Sequence, residues 1–132
     1  MLRSVPARFI GLCLLALGLL AHFVAAQPQA PRPLVYVLPI EGVIDLGLAP
    51  FVARVLDEAT QAGAAAVILE IDTFGGRVDA AVQIRDTLLG AKVRTVAFVN
   101  KRAISAGALI GLSAQTLVMS TGGTIGAAAP VQ

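Results

Sequence analysis

Two short segments of the 132-residue chain carry the residue types that acyl-transfer chemistry needs. Residues 72–77 (DTFGGR) follow one apolar run, and residues 100–107 (NKRAISAG) follow the next one. In an open parallel sheet, functional sites gather at the carboxyl ends of the strands. We therefore expect these two segments to lie close together and to form the candidate site.

Ser105 is the candidate nucleophile of this site. It opens a helix-like run, and its small neighbours Ala103, Ala106 and Gly107 leave room for a peptide chain to approach. A serine at a helix N-terminus commonly caps the helix through its side chain. In the same place, free N–H groups and the helix dipole favour an oxyanion. The sequence leaves both interpretations open.

The glycine pair Gly75-Gly76 is the second element of the candidate site. Without a Cβ, such a pair can direct backbone N–H groups toward a developing negative charge. The alternative is a tight strand-to-helix turn that Asp72 caps. Arg77 and Asp79 follow the pair and are expected at the surface, at the start of a helix.

A nucleophilic serine also needs a base, and the chain offers few. Cys13 and His22 are its only cysteine and histidine, and both fall in the first 26 residues. A His-based triad, a thiol nucleophile and a zinc site are therefore not expected in the rest of the chain. A lysine can act as a base once burial lowers its pKa, but Lys92 and Lys101 are expected to be solvated loop charges. Neither a metal nor a cofactor is predicted, and the glycine-rich residues 120–126 lack the Gly-Lys-Ser/Thr of a phosphate loop.

The first 26 residues are predicted to be a secretory signal peptide. Arg3 and Arg8 precede an apolar stretch, and small residues end at Ala26. The alternative is an uncleaved N-terminal anchor, since residues 9–26 approach the length that spans a bilayer. Either way we expect an exported protein on the extracytoplasmic side of the cell membrane. The chain has ten basic and eight acidic residues; without Arg3 and Arg8 the charges balance, so no nucleic-acid partner is expected.

The remaining sequence alternates strands and helices. The chain is 57% hydrophobic and 14% charged, which is typical of a packed domain. After a Pro-rich linker at residues 27–33, the pattern predicts four strands and three helices. The strands are 34–40, 66–71, 93–99 and 116–119, and the helices are 50–63, 78–89 and 105–113. Strands that are apolar on both faces predict an α/β fold whose parallel sheet is covered on both sides. Because the sequence ends in GAAAPVQ, we expect a fragment or a domain that another chain completes.

Four segments together resemble the NfeD family of membrane-associated serine proteases, which are related to signal peptide peptidase A. They are LVYVLPIEGVID, AVILEIDTFGGRVDAA, ISAGALIGLSA and MSTGGTIGAAAPV. The resemblance covers residues 34–132 and implies a truncated ClpP-like serine protease domain. Its fold would be ClpP/crotonase-like, with repeated β-β-α layers and a mostly parallel sheet that is C-terminally incomplete here.

The resemblance implies an endopeptidase with a Ser-Lys dyad. Ser105 takes the place of the nucleophile, and the N–H groups of Gly76 and Ala106 take the oxyanion hole, with Gly75 as a further candidate. The family's catalytic lysine would fall beyond Gln132, so no base lysine is expected in this chain. Phe74 stands where many relatives have proline.

The resemblance also implies partners. The expected substrates are hydrophobic segments of membrane proteins, the expected partner is a stomatin-type membrane protein, and a homo-oligomer is expected. The first strand and the Gly122-Gly123 segment are regions where such proteins oligomerise or line the substrate groove. Two alternatives remain: a non-catalytic membrane assembly module, and a crotonase-like acyl-CoA enzyme, which the leader disfavours because CoA chemistry is cytoplasmic.

Overall fold

The computed structural model describes residues 32–129, so the predicted signal peptide and residues 27–31 of the predicted linker lie outside the described residues. Strands and helices alternate along the described chain, which confirms the α/β class. The elements are β1 (Val35–Ile44), α1 (Leu48–Gln61), β2 (Ala66–Gly76), α2 (Val78–Leu89), β3 (Thr95–Ile104), α3 (Ala106–Ser113), β4 (Thr116–Met119) and β5 (Thr124–Gly126).

The strands form one parallel sheet in the order β1-β2-β3-β4. The short strand β5 adds to the carboxyl-terminal half of β3, where Ile104 lies opposite Gly126. As a result β2 and β3 end next to each other in the middle of the sheet. In an open parallel sheet, functional groups gather at these carboxyl ends of the strands.

One face of the sheet carries the core. Alternate strand residues on this face are fully buried against the three helices, among them Leu38, Leu69, Ile71 and Val99. The residues on the opposite face, such as Ile68, Val96 and Phe98, are only half-buried. The prediction that the parallel sheet is covered on both sides is therefore wrong for residues 32–129. The physical reason is the strand order, since right-handed crossovers between strands in sequential order place every helix on the same side.

Strands β2 and β3 are longer than their apolar runs predict. Residues 72–76 and 100–104 were expected as loops, but they continue the strands. Past a bulge in the β1–β2 ladder, Gly75 pairs with Val43 of β1, and Arg102 pairs with Thr124 of β5. The polar and glycine residues join the sheet because a neighbouring strand supplies hydrogen-bonding partners there. Strand β5, in the glycine-rich segment, was not predicted.

The described helices lie close to the predicted ranges. Helix α1 begins earlier than predicted, because Asp45 Oδ1 accepts hydrogen bonds from the N–H groups of Gly47 and Leu48 at 2.9 and 3.1 Å. In α2 the terminal residues Val78 and Leu89 are exposed, and the buried face consists of Ala80, Ala81, Ile84 and Leu88. Among the described helices, none combines the length and apolar character needed to cross a bilayer.

Candidate active site

The ends of β2 and β3 bring Gly75 against Ser105. A Cβ on Gly75 would lie 2.9 Å from Ser105 Cβ and 3.2 Å from the backbone nitrogen of Ala106. Gly75 is buried and has a φ of +108°, which an L side chain rarely adopts. The two candidate segments therefore meet as predicted, and glycine is required at this contact for both space and backbone conformation.

Ser105 has an unusual backbone for a residue with a side chain. Its φ is 53° and its ψ is −116°, a sparsely populated combination that is found mostly where the surroundings enforce it. Its N–H donates to Gly126 O at 2.8 Å, and its carbonyl accepts from Ala108 N at 3.0 Å. Strand β5 on one side and helix α3 on the other thus hold the residue in place.

The Ser105 side chain does not act as a helix cap. Ser105 precedes α3, yet its hydroxyl makes no capping hydrogen bond. The interpretation as a side-chain cap is therefore wrong in this structure. The half-buried hydroxyl lies at the N-terminus of α3, where the first N–H groups, including that of Ala106, have no partner within the helix.

Gly75 and Gly76 have different surroundings. A Cβ on Gly76 would overlap the backbone oxygen of Ile44 at the end of β1, and Arg77 N donates to that same oxygen at 2.8 Å. Gly76 is exposed, whereas Gly75 is buried. Gly76 therefore packs against the end of β1, and Gly75 packs against the start of α3. The sequence did not distinguish these two roles.

Thr73 is the residue of this region that the sequence analysis missed. It is 1% exposed, and its hydroxyl contacts the Gly42 carbonyl in the β1 bulge. Gly75 N donates to Thr73 Oγ1 at 2.9 Å, so Thr73, rather than Asp72, caps the glycine turn. The signal in the sequence was a hydroxyl residue two positions before a glycine pair, which is the spacing of a local side-chain turn.

Asp72 instead holds two cations at the rim of the site. Its carboxylate oxygens lie 2.9 Å from Arg102 Nε and 3.4 Å from Lys101 Nζ. The alternative prediction that Asp72 caps the glycine turn is therefore wrong. The Lys101 side chain is 65% exposed, as expected for a solvated charge. The Arg102 guanidinium lies 4.4 Å from the centre of the Phe74 ring, and Phe74 is 72% exposed.

A shallow groove runs along this rim. It has a volume of about 440 Å³, and its lining includes Phe74, Arg102, Ile104, Gly122 and Thr124. The groove therefore lies between Phe74, Ile104 and the glycine-rich residues 120–126.

Arg77 and Asp79 lie at the surface at the start of α2, as predicted. Arg77 donates two hydrogen bonds to the Asp79 carboxylate, at 3.0 and 2.6 Å. These bonds lower the pKa of Asp79 and raise the pKa of Arg77. Asp79 also accepts from Ala80 N at 2.9 Å, and its charge suits the helix N-terminus. The pair orders the chain immediately after Gly76.

The fold and the site together define an α/β domain with one parallel sheet, in which a glycine turn at the end of β2 faces a conformationally constrained serine directly after β3. The sequence model of the NfeD1b N-terminal domain family matches residues 34–132. The chain belongs to this family, and the predicted kinship is confirmed.

Two curated relatives cover nearly the whole chain. It is 39% identical over 130 residues to the membrane protein NfeD1b of Bacillus subtilis, covering 98% of this chain and 29% of that protein. It is 32% identical over 118 residues to the membrane-bound protease PH1510 of Pyrococcus horikoshii, covering 87% of this chain and 27% of that protein. The chain thus spans less than a third of either relative.

Solved structures of the 1510-N membrane-bound stomatin-specific protease share the fold. A serine-to-alanine variant superimposes with a TM-score of 0.71 at 33% identity, covering 77% of this chain and 51% of that one. A lysine-to-alanine variant in complex with a substrate peptide gives a TM-score of 0.70 at 34% identity, covering 77% and 48%. The chain is therefore related to membrane-bound proteases.

Proposed function

We propose that the protein containing this domain is an exported, membrane-associated endopeptidase of the Ser-Lys type, with Ser105 as its nucleophile. The observation that carries the proposal is the contact of Gly75 with Ser105 and with the Ala106 amide. The constrained backbone of Ser105 and the absence of a capping bond from its hydroxyl support the same role. The related 1510-N protease, studied as serine and lysine variants, supports the reaction class.

In this proposal Ser105 Oγ attacks the carbonyl carbon of a peptide bond. The hydroxyl proton passes to a lysine amine, which later protonates the departing amine, and water then hydrolyses the acyl-enzyme. The N–H groups of Ala106 and Gly76 stabilise the oxyanion. Gly75 provides the close approach rather than a donor, because its own N–H is bonded to Thr73 Oγ1.

The base is proposed to come from outside the described residues. Lys92 is exposed in the connection after α2. Lys101 is 65% exposed and pairs with Asp72. Neither is a desolvated amine of the kind that activates a serine. A lysine from the longer protein, or from another copy, is therefore part of the proposal.

The proposed substrates are hydrophobic segments of membrane proteins, with a stomatin-type protein as partner and a homo-oligomeric enzyme. Apolar side chains are exposed around the glycine turn, with Val43 at 74%, Phe74 at 72% and Val78 at 68% exposure. Such a surface favours an apolar peptide next to the glycine turn. The related 1510-N protease is stomatin-specific, which supports the choice of partner.

The test uses the full-length protein in detergent and a mixture of synthetic hydrophobic 15-residue peptides, with cleavage followed by mass spectrometry. Ser105→Ala is expected to abolish cleavage. The matched control is Ser113→Ala, at the other end of the same helix, where the hydroxyl bonds only to Leu109 O. Equal cleavage by the wild type and Ser105→Ala would overturn the proposal. Peptide binding without cleavage by the wild type would favour the assembly module instead.

A further inference from the structure

We propose that Thr73 is a positioning residue of the oxyanion hole: its hydroxyl fixes the peptide group that presents the Gly76 amide to the reacting carbonyl. This inference rests on the proposed function. It adds a residue that neither the family resemblance nor the sequence motifs assigned.

The burial of Thr73 is the first observation. Thr73 is 1% exposed on the face of β2 that otherwise carries Val67, Leu69 and Ile71. A hydroxyl group is costly in such a place unless it is hydrogen-bonded. A valine would have the same shape and would avoid that cost. The hydroxyl therefore has a use at this position that apolar packing does not supply.

The hydrogen bonds define that use. A threonine hydroxyl donates one hydrogen bond and can accept others. Thr73 Oγ1 lies within hydrogen-bond distance of Gly42 O, to which it donates, and it accepts the Gly75 N–H at 2.9 Å. One oxygen atom therefore ties the bulge of β1 to the glycine turn.

The methyl group of Thr73 reaches the other half of the site. Thr73 Cγ2 occupies the space next to Gly107, in the first turn of α3, where a Cβ on that glycine would overlap it. Because a β-branched side chain is stiff at χ1, the hydroxyl and the methyl group are fixed relative to each other. Thr73 thus sets the spacing between the turn and the helix that begins after Ser105.

The orientation of the Gly76 amide follows from these contacts. Gly75 keeps its φ of +108° while its N–H is held by Thr73. The next peptide group is planar and trans, so its N–H points opposite to the Gly75 carbonyl. That carbonyl oxygen lies 3.5 Å from Thr73 Oγ1. The Gly76 N–H is therefore directed away from Thr73 Oγ1.

The experiment measures kcat and KM of the full-length protein on one peptide that it cleaves, for Thr73→Val and Thr73→Ser. Thr73→Val keeps the shape and removes the hydroxyl, so kcat is expected to fall about 10- to 100-fold with KM changed less than about threefold, part of the effect of losing an oxyanion donor. Thr73→Ser keeps the hydroxyl and is expected to retain most of kcat.

The matched control is Thr95→Val, which removes a buried hydroxyl at the start of β3. That hydroxyl accepts one hydrogen bond, from Gln115 N at 3.1 Å. Thr95→Val is expected to lower stability and leave kcat close to the wild type. If Thr73→Val does not fold, Thr73→Ser and Thr73→Ala provide a second comparison, because they differ only in the hydroxyl.

The outcomes separate this inference from the proposed function. Unchanged kcat in Thr73→Val, or an equal loss in Thr73→Val and Thr95→Val, would overturn the role of Thr73. If Thr73→Val does not fold, equal kcat values for Thr73→Ser and Thr73→Ala would overturn it too. In each case the role of Ser105 would stand as long as Ser105→Ala is inactive. An active Ser105→Ala would overturn the proposed function itself.

Discussion

Gly75 and Ser105 are in contact at a distance that excludes any side chain on the glycine, since a Cβ there would lie 2.9 Å from Ser105 Cβ. Gly75 lies at the end of β2, and Ser105 directly follows the end of the adjacent parallel strand β3. Each is also held from its outer side, Gly75 by Thr73 and Ser105 by Gly126. The contact is therefore imposed by the sheet and does not depend on a flexible loop.

Replacement of Gly75 by alanine is expected to abolish peptide cleavage and to lower the free energy of unfolding. The new methyl group would meet Ser105 Cβ and the Ala106 amide, and the backbone would keep a conformation that alanine disfavours. Gly63→Ala is the matched control. Gly63 also has a positive φ, of +64°, but open space around its Cβ position. It should lose about 1–2 kcal/mol of stability and keep its activity.

Activity assays and thermal unfolding of both variants check this prediction. If Gly75→Ala cleaved peptides as fast as Gly63→Ala, the turn would not be part of the reacting site. If Gly75→Ala were no less stable than Gly63→Ala, the observed contact with Ser105 would be relieved by a small backbone shift.

The sequence predicted the contact between the two segments but not the way it is made. The apolar runs of β2 and β3 show that both strands are buried, and parallel pairing then places residues 72–77 next to residues 100–107. The extension of both strands past their apolar runs was not predictable from local pattern, because it depends on partners in β1 and β5. Hydrogen bonding between strands that are distant in sequence outweighed the turn preference of glycine.

The sequence also predicted only part of the candidate site. Residue type singled out Ser105 and the glycine pair, but only the structure shows that the serine hydroxyl does not cap the helix. The role of Thr73 depends on Gly42 and Gly107, both of which are more than 30 residues away in sequence. Tertiary packing sets such contacts, and the composition and spacing of the residues do not specify each one.

Replacement of Gly107 by alanine is expected to destabilise the domain by about 1–3 kcal/mol through overpacking. The added methyl group would overlap Thr73 Cγ2. Thr73→Ser removes that methyl group and should therefore restore part of the stability in the double variant. Gly111→Ala is the control in the same helix, because its Cβ would meet the ends of the Leu117, Ile71 and Ile125 side chains, at 3.3, 3.5 and 3.9 Å, and not Thr73.

A double-mutant cycle by chemical denaturation checks this prediction, since contacting residues give non-additive effects. The expected interaction between Gly107→Ala and Thr73→Ser is favourable, and that between Gly111→Ala and Thr73→Ser is close to zero. Strict additivity of Gly107→Ala and Thr73→Ser would contradict the packing described for the first turn of α3.

Replacement of Phe74 by alanine is expected to weaken peptide binding with little effect on folding. The ring is 72% exposed and is held mainly by Arg102, so an exposed cation–π contact of about 0.5–1 kcal/mol is the main intramolecular loss. In the proposed groove the ring would pack against an apolar substrate side chain. KM should rise about three- to tenfold, a loss of roughly 1 kcal/mol of binding, with kcat nearly unchanged.

The control for Phe74 is Leu89→Ala, which removes a similarly exposed apolar side chain at the far end of α2, where Leu89 is 69% exposed. Its KM should equal that of the wild type. Steady-state kinetics on one hydrophobic peptide distinguish the two variants. An unchanged KM in Phe74→Ala would place the substrate elsewhere on the surface.

The Arg77–Asp79 pair is expected to make a small contribution to stability that depends on pH. Hydrogen bonding from Arg77 lowers the pKa of folded Asp79 below its ordinary value of 3.8. A carboxyl group with a lowered folded pKa stabilises the protein above its unfolded pKa, and this contribution is lost as the pH falls through the folded pKa. Asp79→Asn should therefore unfold at a slightly lower temperature than the wild type at pH 7, and the difference should shrink below pH 3.8.

The control is Asp57→Asn, on the exposed side of α1, where residues 32–129 provide no ion-pair partner. Thermal unfolding of the three proteins between pH 2 and pH 7 checks the prediction, and a difference for Asp79→Asn that stayed constant over this range would show that the charge of Asp79 does not stabilise the turn after Gly76.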